Sequence, residues 1–146
     1  MSVSVAVFAS GGGTNFQSLL DHRSDGGGGR IELLVTDRPG IGALDRAANA
    51  GVSSRVVPVK GRPGDAVALE TLEILEDHGI QVVLLAGYLR LVPPLIVQAF
   101  LRRILNIHPA LLPAFGGKGM WGHHVHQAVL ASGATISGPT FHLVAA

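Results

Sequence analysis

Three clusters of residues in this 146-residue chain have types and spacings that could do chemistry. The first, Ser10-Gly11-Gly12-Gly13-Thr14-Asn15, is a glycine-rich turn between an apolar run and a helix-compatible one. Glycines let backbone N–H groups approach an anion and a helix N-terminus adds favourable partial charge, so this segment suits a phosphate. The same pattern serves a tight βα turn with Thr14 or Asn15 as N-cap, and pattern alone does not separate the two. No Gly-Lys-Ser/Thr follows, which excludes a Walker loop, and the spacing to Asn15 departs from a dinucleotide fingerprint. A small phosphorylated substrate fits better.

The second cluster is Leu105-Asn106-Ile107-His108-Pro109-Ala110-Leu111-Leu112-Pro113, where a polar pair interrupts an apolar strand end. Strand alternation puts Asn106 and His108 on one face. Pro109 drives His108 into extended backbone, which fixes the direction of its imidazole. A capped strand end with a hydrogen-bonded core histidine accounts for the same residues and stays open at this point. The third cluster is His123, His124 and His126, with His142 further on. Zinc ligation would want a carboxylate or thiol set nearby, and histidines at a helix start serve more often as caps or surface groups, so no metal is expected.

The elements that must position these residues alternate. Val3 to Ala9 reads as a buried strand and Thr14 to His22 as a helix. Ile31 to Thr36 reads as a second strand, Asp37-Arg38-Pro39-Gly40 as a turn, and Ile41 to Ala50 as a helix closed by Gly51. A third strand is read at Val56 to Val59, and Gly26 to Gly29 as a flexible loop. Between Asp65 and His78, Ala68, Leu72 and Leu75 fall on one helical face and Glu70, Glu73 and Asp77 on another, a surface helix stopped by Gly79. Gln81 to Ala86 has the continuous apolar character of a central parallel strand. Pro93-Pro94 opens a helix to about Leu101. Arg103 to Ile107, Val125 to Ala131 and Ile136 to Val144 complete the series as strand, helix and strand. The expected architecture is one α/β domain over residues 1–146, a Rossmann-like mostly parallel sheet with helices on both faces. Ligands then belong at the carboxyl ends of its strands.

Taken in order and spacing, Val7-Phe8-Ala9-Ser10-Gly11-Gly12-Gly13-Thr14-Asn15-Phe16-Gln17, Leu85-Ala86-Gly87-Tyr88-Leu89-Arg90-Leu91 and Asn106-Ile107-His108-Pro109 resemble the phosphoribosylglycinamide formyltransferases. The resemblance extends to Gly138, Thr140 and His142. It implies transfer of a formyl group from 10-formyltetrahydrofolate, as co-substrate, to the amine of glycinamide ribonucleotide in purine biosynthesis. In that reading His108 acts as general acid, and Asn106 is both a second donor to the developing oxyanion and a folate contact. Gly13, Thr14 and Asn15 hold the substrate phosphate. Leu89, Arg90, Leu91 and Val92 line the folate pocket largely through backbone contacts. Arg62 is held more loosely as a folate contact, because Pro63-Gly64 departs from the family pattern. The family also carries an orienting aspartate a few residues beyond the strand of His142, whereas this sequence ends at Ala145-Ala146. The expectation is therefore a domain lacking the C-terminal strands and closing helix, with its activity in question. The alternatives are a non-catalytic folate- or nucleotide-binding fragment, a formyltetrahydrofolate deformylase, or the formyl-transfer domain that acts on methionyl-tRNA. Homo-oligomerisation stays open.

Composition narrows the classes. Apolar residues make up 47% and charged residues 14%, which suits a buried sheet and argues against disorder. Two lysines, Lys60 and Lys118, and nine arginines face 10 acidic residues, for a net charge of +1. That balance gives no electrostatic footprint for nucleic acid or an anionic membrane. Cysteine is absent, so disulfides, thiolate metal sites and a cysteine nucleophile are excluded. Met1 to Ala9 lacks a basic leading segment and ends in glycines, and no apolar run approaches spanning length. A cytoplasmic setting is expected.

Overall fold

The structure, a computed structural model, describes residues 3–22 and 29–107, together with the backbone of 141–143. Ten elements are described: β1 (Val3–Ala9), α1 (Thr14–His22), β2 (Gly29–Thr36), α2 (Gly42–Ala50), β3 (Ser53–Val56), α3 (Gly64–Asp77), β4 (Val82–Ala86), α4 (Pro94–Ala99), β5 (Ile104–Ile107) and β6 (Phe141–Leu143). The six strands form one sheet in the order β3-β2-β1-β4-β5-β6. The first five are parallel to one another, and β6 runs antiparallel to β5, with Asn106 opposite His142. The α/β class with a mostly parallel sheet is therefore the observed one, and the antiparallel β6 is its departure from an all-parallel sheet.

Helices cover both faces because each central strand is apolar on both sides. In β1, Val5, Val7 and Ala9 face one cluster, which holds Phe16, Leu19 and Leu20 of α1 and Ala43 and Ala47 of α2. Ala6 and Phe8 face the other, which holds Val67, Ala68, Ile74 and Leu75 of α3 and Ile96 and Val97 of α4. Period-two alternation within a run that has no polar face is what a doubly covered parallel strand requires.

Several boundaries move from their sequence expectations. Gly29, expected in the glycine-rich loop, opens β2, where it pairs with Val3. The third strand is Ser53–Val56, earlier than the Val56 to Val59 expected. It is an edge strand with only β2 beside it, and register with Leu33 to Thr36 selects its residues although most of them are exposed. The apolar run misleads because Val57 is buried just after the strand ends, held by its N–H to the Thr36 carbonyl at 2.7 Å. The helix after Pro93 ends at Ala99, with Phe100 as its C-cap and Arg102 in left-handed backbone at φ 63°. The expected helix at Val125 to Ala131 lies outside the described residues.

Candidate functional site

From β1 the chain passes to β2 and β3 on one side, then crosses to β4 and β5 on the other. The reversal leaves a crevice beyond the carboxyl ends of β1 and β4, where open α/β sheets bind ligands. Four of the segments singled out by sequence reach this end: the glycine loop after β1, the Asp37 turn after β2, the Gly87 to Val92 loop after β4, and Asn106 near the end of β5.

The glycine loop is held in place from the side of α2. Gly13 has φ +81°, and a Cβ there would lie 2.9 Å from the Ala43 Cβ and 3.0 Å from its Cα, so both backbone and packing require glycine. Gly11 and Gly12 have open space where a side chain would stand. The Ala43 N–H donates to the Gly11 carbonyl at 3.2 Å, and Arg46 Nε donates to the Gly12 carbonyl at 2.7 Å. Arg46 also reaches Gln17 Oε1 at 3.2 Å, tying loop and helix together.

Helix α1 starts at Thr14, and its first intrahelical bond runs from the Gln17 N–H to the Gly13 carbonyl at 2.8 Å. Thr14 and Asn15 are thus the first two helical residues rather than N-caps. Their N–H groups precede the hydrogen-bond ladder and point out of the helix start, the geometry that favours an anion.

A buried network joins this loop to its neighbours. Ser10 Oγ–H donates to Asp37 Oδ1 at 2.6 Å, and the Leu89 N–H donates to Ser10 Oγ at 2.9 Å. The Ser10 N–H bonds the Gly87 carbonyl at 3.1 Å. Arg90 Nε donates to Asp37 Oδ2 at 2.9 Å, and an Arg38 amino group lies 3.3 Å from the same oxygen. The Asp37 side chain has 0% exposure. Burial alone would raise its pKa, but the hydrogen bonds from Ser10 and Arg90, a backbone N–H and the Arg38 charge outweigh it and hold the carboxyl below its ordinary value. Dinucleotide-binding folds use an acidic residue after a strand to grip a ribose. Here that carboxylate is enclosed and engaged by protein groups, which agrees with a loop that is not a dinucleotide fingerprint.

Beside this network Tyr88 packs edge-on against Phe8, with ring centroids 5.3 Å apart and planes at 74°. Burial first, and the nearby Asp37 charge second, push the Tyr88 hydroxyl up to about 12, so it stays a neutral phenol. Leu89 and Leu91 are exposed at 72% and 93%, an apolar pair on the loop that the resemblance expects at the folate. Val92 packs against the core cluster of α3 and α4. Asn106 sits half-buried on β5, between Leu85 of β4 and His142 of β6 in the register.

His108, His123, His124 and His126 lie outside the described residues. Arg62 is engaged elsewhere, with Glu70 Oε1 at 2.6 Å and the Pro58 carbonyl at 2.7 Å. Among the described residues no three His, Asp or Glu side chains gather in a metal-binding group. A groove of about 340 Å³ lies away from the crevice, near the amino ends of β4 and β5, lined by Leu72, Glu76, Ile80, Ala99, Phe100 and Arg103. Sequence reasoning missed Arg46, took Asp37 only as a turn residue, and named Ser10 in the first cluster without a role of its own. The available signal is an acidic residue directly after a buried strand, which the Asp-Arg-Pro-Gly turn absorbs.

A family profile described as formyl transferase matches residues 3–146. The chain is 51% identical over 143 residues to a chloroplastic phosphoribosylglycinamide formyltransferase of Arabidopsis thaliana, covering 96% of this chain and 49% of that protein. The corresponding protein of Vigna unguiculata is 45% identical over 142 residues, with coverages of 96% and 46%. The chain thus spans about half the length of these curated relatives. Among solved structures, glycinamide ribonucleotide transformylase 1 of Geobacillus kaustophilus superposes with a TM-score of 0.71 at 43% identity, over 85% of this chain and 67% of that one.

Proposed function

The chain belongs to the formyl transferase family, and on that premise we propose that it transfers a formyl group from 10-formyltetrahydrofolate to the amine of glycinamide ribonucleotide, with residues 1–146 acting as one formyltransferase-like unit. The observation that carries the choice of acceptor is the glycine loop. Its open Gly11 and Gly12 and the unladdered N–H groups of Thr14 and Asn15 stand at the sheet's switch point. That is a seat for a substrate phosphate next to an exposed apolar loop suited to a pterin. The names of the plant and bacterial relatives support glycinamide ribonucleotide as the acceptor, and the folate donor and the place in purine biosynthesis are what the family resemblance implies. The cytoplasm is the setting in this reading; no helix among the described residues is long and apolar enough to cross a membrane.

In the reaction the substrate amine attacks the formyl carbon, forming the new C–N bond while charge collects on the formyl oxygen. Donors fixed toward that oxygen stabilise the transition state more than the ground state. Asn106 and His108 are the proposed donors. As the bond to folate N10 breaks, the amine loses a proton and N10 gains one, with His108 as the general acid. Gly13, Thr14 and Asn15 hold the phosphate, and Leu89, Arg90, Leu91, Val92 and Asn106 contact the folate.

The test is a steady-state assay with both substrates, following formylated product and formate separately. Product formation that requires the ribonucleotide is expected, with His108→Ala lowering kcat by ~10²-fold or more. Formate release that ignores the acceptor would replace the reading with a deformylase. Ligand binding with no turnover would replace it with a binding module.

A further inference from the structure

The carboxylate of Asp37 stands where three loops meet, and nothing in the proposed chemistry uses it directly. Its two oxygens have separate tasks. One accepts the Ser10 hydroxyl proton at 2.6 Å, and the other accepts Arg90 Nε–H at 2.9 Å. A serine hydroxyl has one proton and two lone pairs. With its proton committed to Asp37, Ser10 turns a lone pair to the Leu89 N–H at 2.9 Å. A single buried carboxylate therefore sets Leu89 through serine and Arg90 directly, while Ser10 itself begins the glycine loop.

We propose that Asp37 is a positioning residue that locks the glycine loop to the Leu89 to Val92 loop, so that the phosphate and folate subsites keep one mutual geometry. The proposal rests on the formyl-transfer reading for its catalytic consequence, but the coupling itself is a property of the fold. An uncharged isostere cannot reproduce both contacts. In Asp37→Asn, an amide carbonyl facing Ser10 would leave the amide nitrogen against Arg90 Nε–H, donor against donor. Flipped, the amide would leave the serine proton without its acceptor. The second change Arg90→Gln removes the conflict with Arg90, because the glutamine Oε1 occupies the place of Arg90 Nε along the side chain and accepts from the amide, while the half-exposed Arg38, at 3.3 Å from the same position, is free to turn to solvent.

Asp37→Asn should raise KM for 10-formyltetrahydrofolate about tenfold, the effect of losing one charge-assisted hydrogen bond, with a smaller change in kcat. Because Arg90 is itself a proposed folate contact, rescue by the double variant Asp37→Asn, Arg90→Gln is read without ligand, as recovered amide protection at Ser10 and Leu89. A merely structural role would instead lower the melting temperature, leave KM in place and show no recovery in the double variant. Amide hydrogen exchange gives a readout that needs no ligand. Exchange at Ser10 and Leu89 should quicken together in Asp37→Asn while Val7 and Leu84 in the strands stay protected. Ser10→Ala, which leaves the Arg90 to Asp37 pair standing, should quicken Leu89 alone, and it serves if Asp37→Asn does not fold. Unchanged exchange at Leu89 overturns the proposal whatever the chain catalyses. An unsubstituted chain that turns over nothing, but whose two loops still loosen together on substitution, overturns the functional reading and leaves the coupling intact.

Discussion

A carboxylate with no exposed surface is tolerable only while its charge is answered, and the surroundings of Asp37 answer it with one hydroxyl and two guanidinium groups. Because its folded pKa lies below the ordinary value, the unfolded chain holds the proton more tightly than the folded one. The carboxylate therefore adds stability that is whole above about pH 4 and is lost as pH falls through the folded value. The expected outcome in urea titrations is a gap between the unsubstituted chain and Asp37→Asn that is widest near neutrality and narrows in acid. A gap of constant size from pH 7 to pH 3 would mean that the charge is not what the site stabilises. At this scale the sequence was only partly legible. Gly13 could be picked out because a glycine-rich turn before a helix has a direct physical reading. Asp37 could not, because Asp-Arg-Pro-Gly satisfies turn chemistry by itself and hides a side chain turned inward to partners 27 and 53 positions away. Asn106 was marked by its type and by its place at a strand end. Its standing opposite His142 is a matter of antiparallel register, which no local pattern carries.

Among the elements, α2 does more than cover the sheet. Its first turn backs the glycine loop: Ala43 is fully buried against Gly13, and Arg46 holds the Gly12 carbonyl. Enlarging Ala43 should therefore act on the loop and not only on the core. Ala43→Val is expected to cost about 1–3 kcal/mol by overpacking and to weaken binding of the phosphorylated substrate. Ala48→Val, exposed in the same helix, should cost only the propensity difference, roughly 0.7 kcal/mol or less. Thermal melts of the two variants, with binding of the ribonucleotide measured by calorimetry, separate packing from propensity. Equal losses in both variants would show that α2 is not the buttress. Element existence was legible wherever period or punctuation was strong, as in α3 between Pro63 and Gly79. Strand β3 was not, because an edge strand with one neighbour is chosen by pairing and carries little apolar patterning of its own.

On the scale of the whole molecule, the sheet divides the interior into two cores that share strands but few side chains. Leu34 on β2 belongs to the core under α1 and α2, and Ile104 on β5 to the core under α3 and α4. With β1 and β4 between them, their backbones are three strand spacings apart, about 14 Å. Both are fully buried, at 0% exposure. Leu34→Ala should cost about 2–5 kcal/mol and Ile104→Val about 0.5–1.5 kcal/mol. At that separation, with no shared partner, the double variant should lose the sum to within about 0.5 kcal/mol. The continuous apolar runs of β1 and β4 make this two-sided burial readable from sequence, since a strand with one wet face would alternate. Additivity does not imply independent folding, because β1 supplies Val5, Val7 and Ala9 to one core and Ala6 and Phe8 to the other. Losing either core therefore strips a face from the same strand. Chemical denaturation of the double variant should keep a single transition with an unchanged m-value. Two separated transitions would mean that the faces unfold apart, and the glycine loop, which leaves β1 at Ser10, would then depend on one core alone.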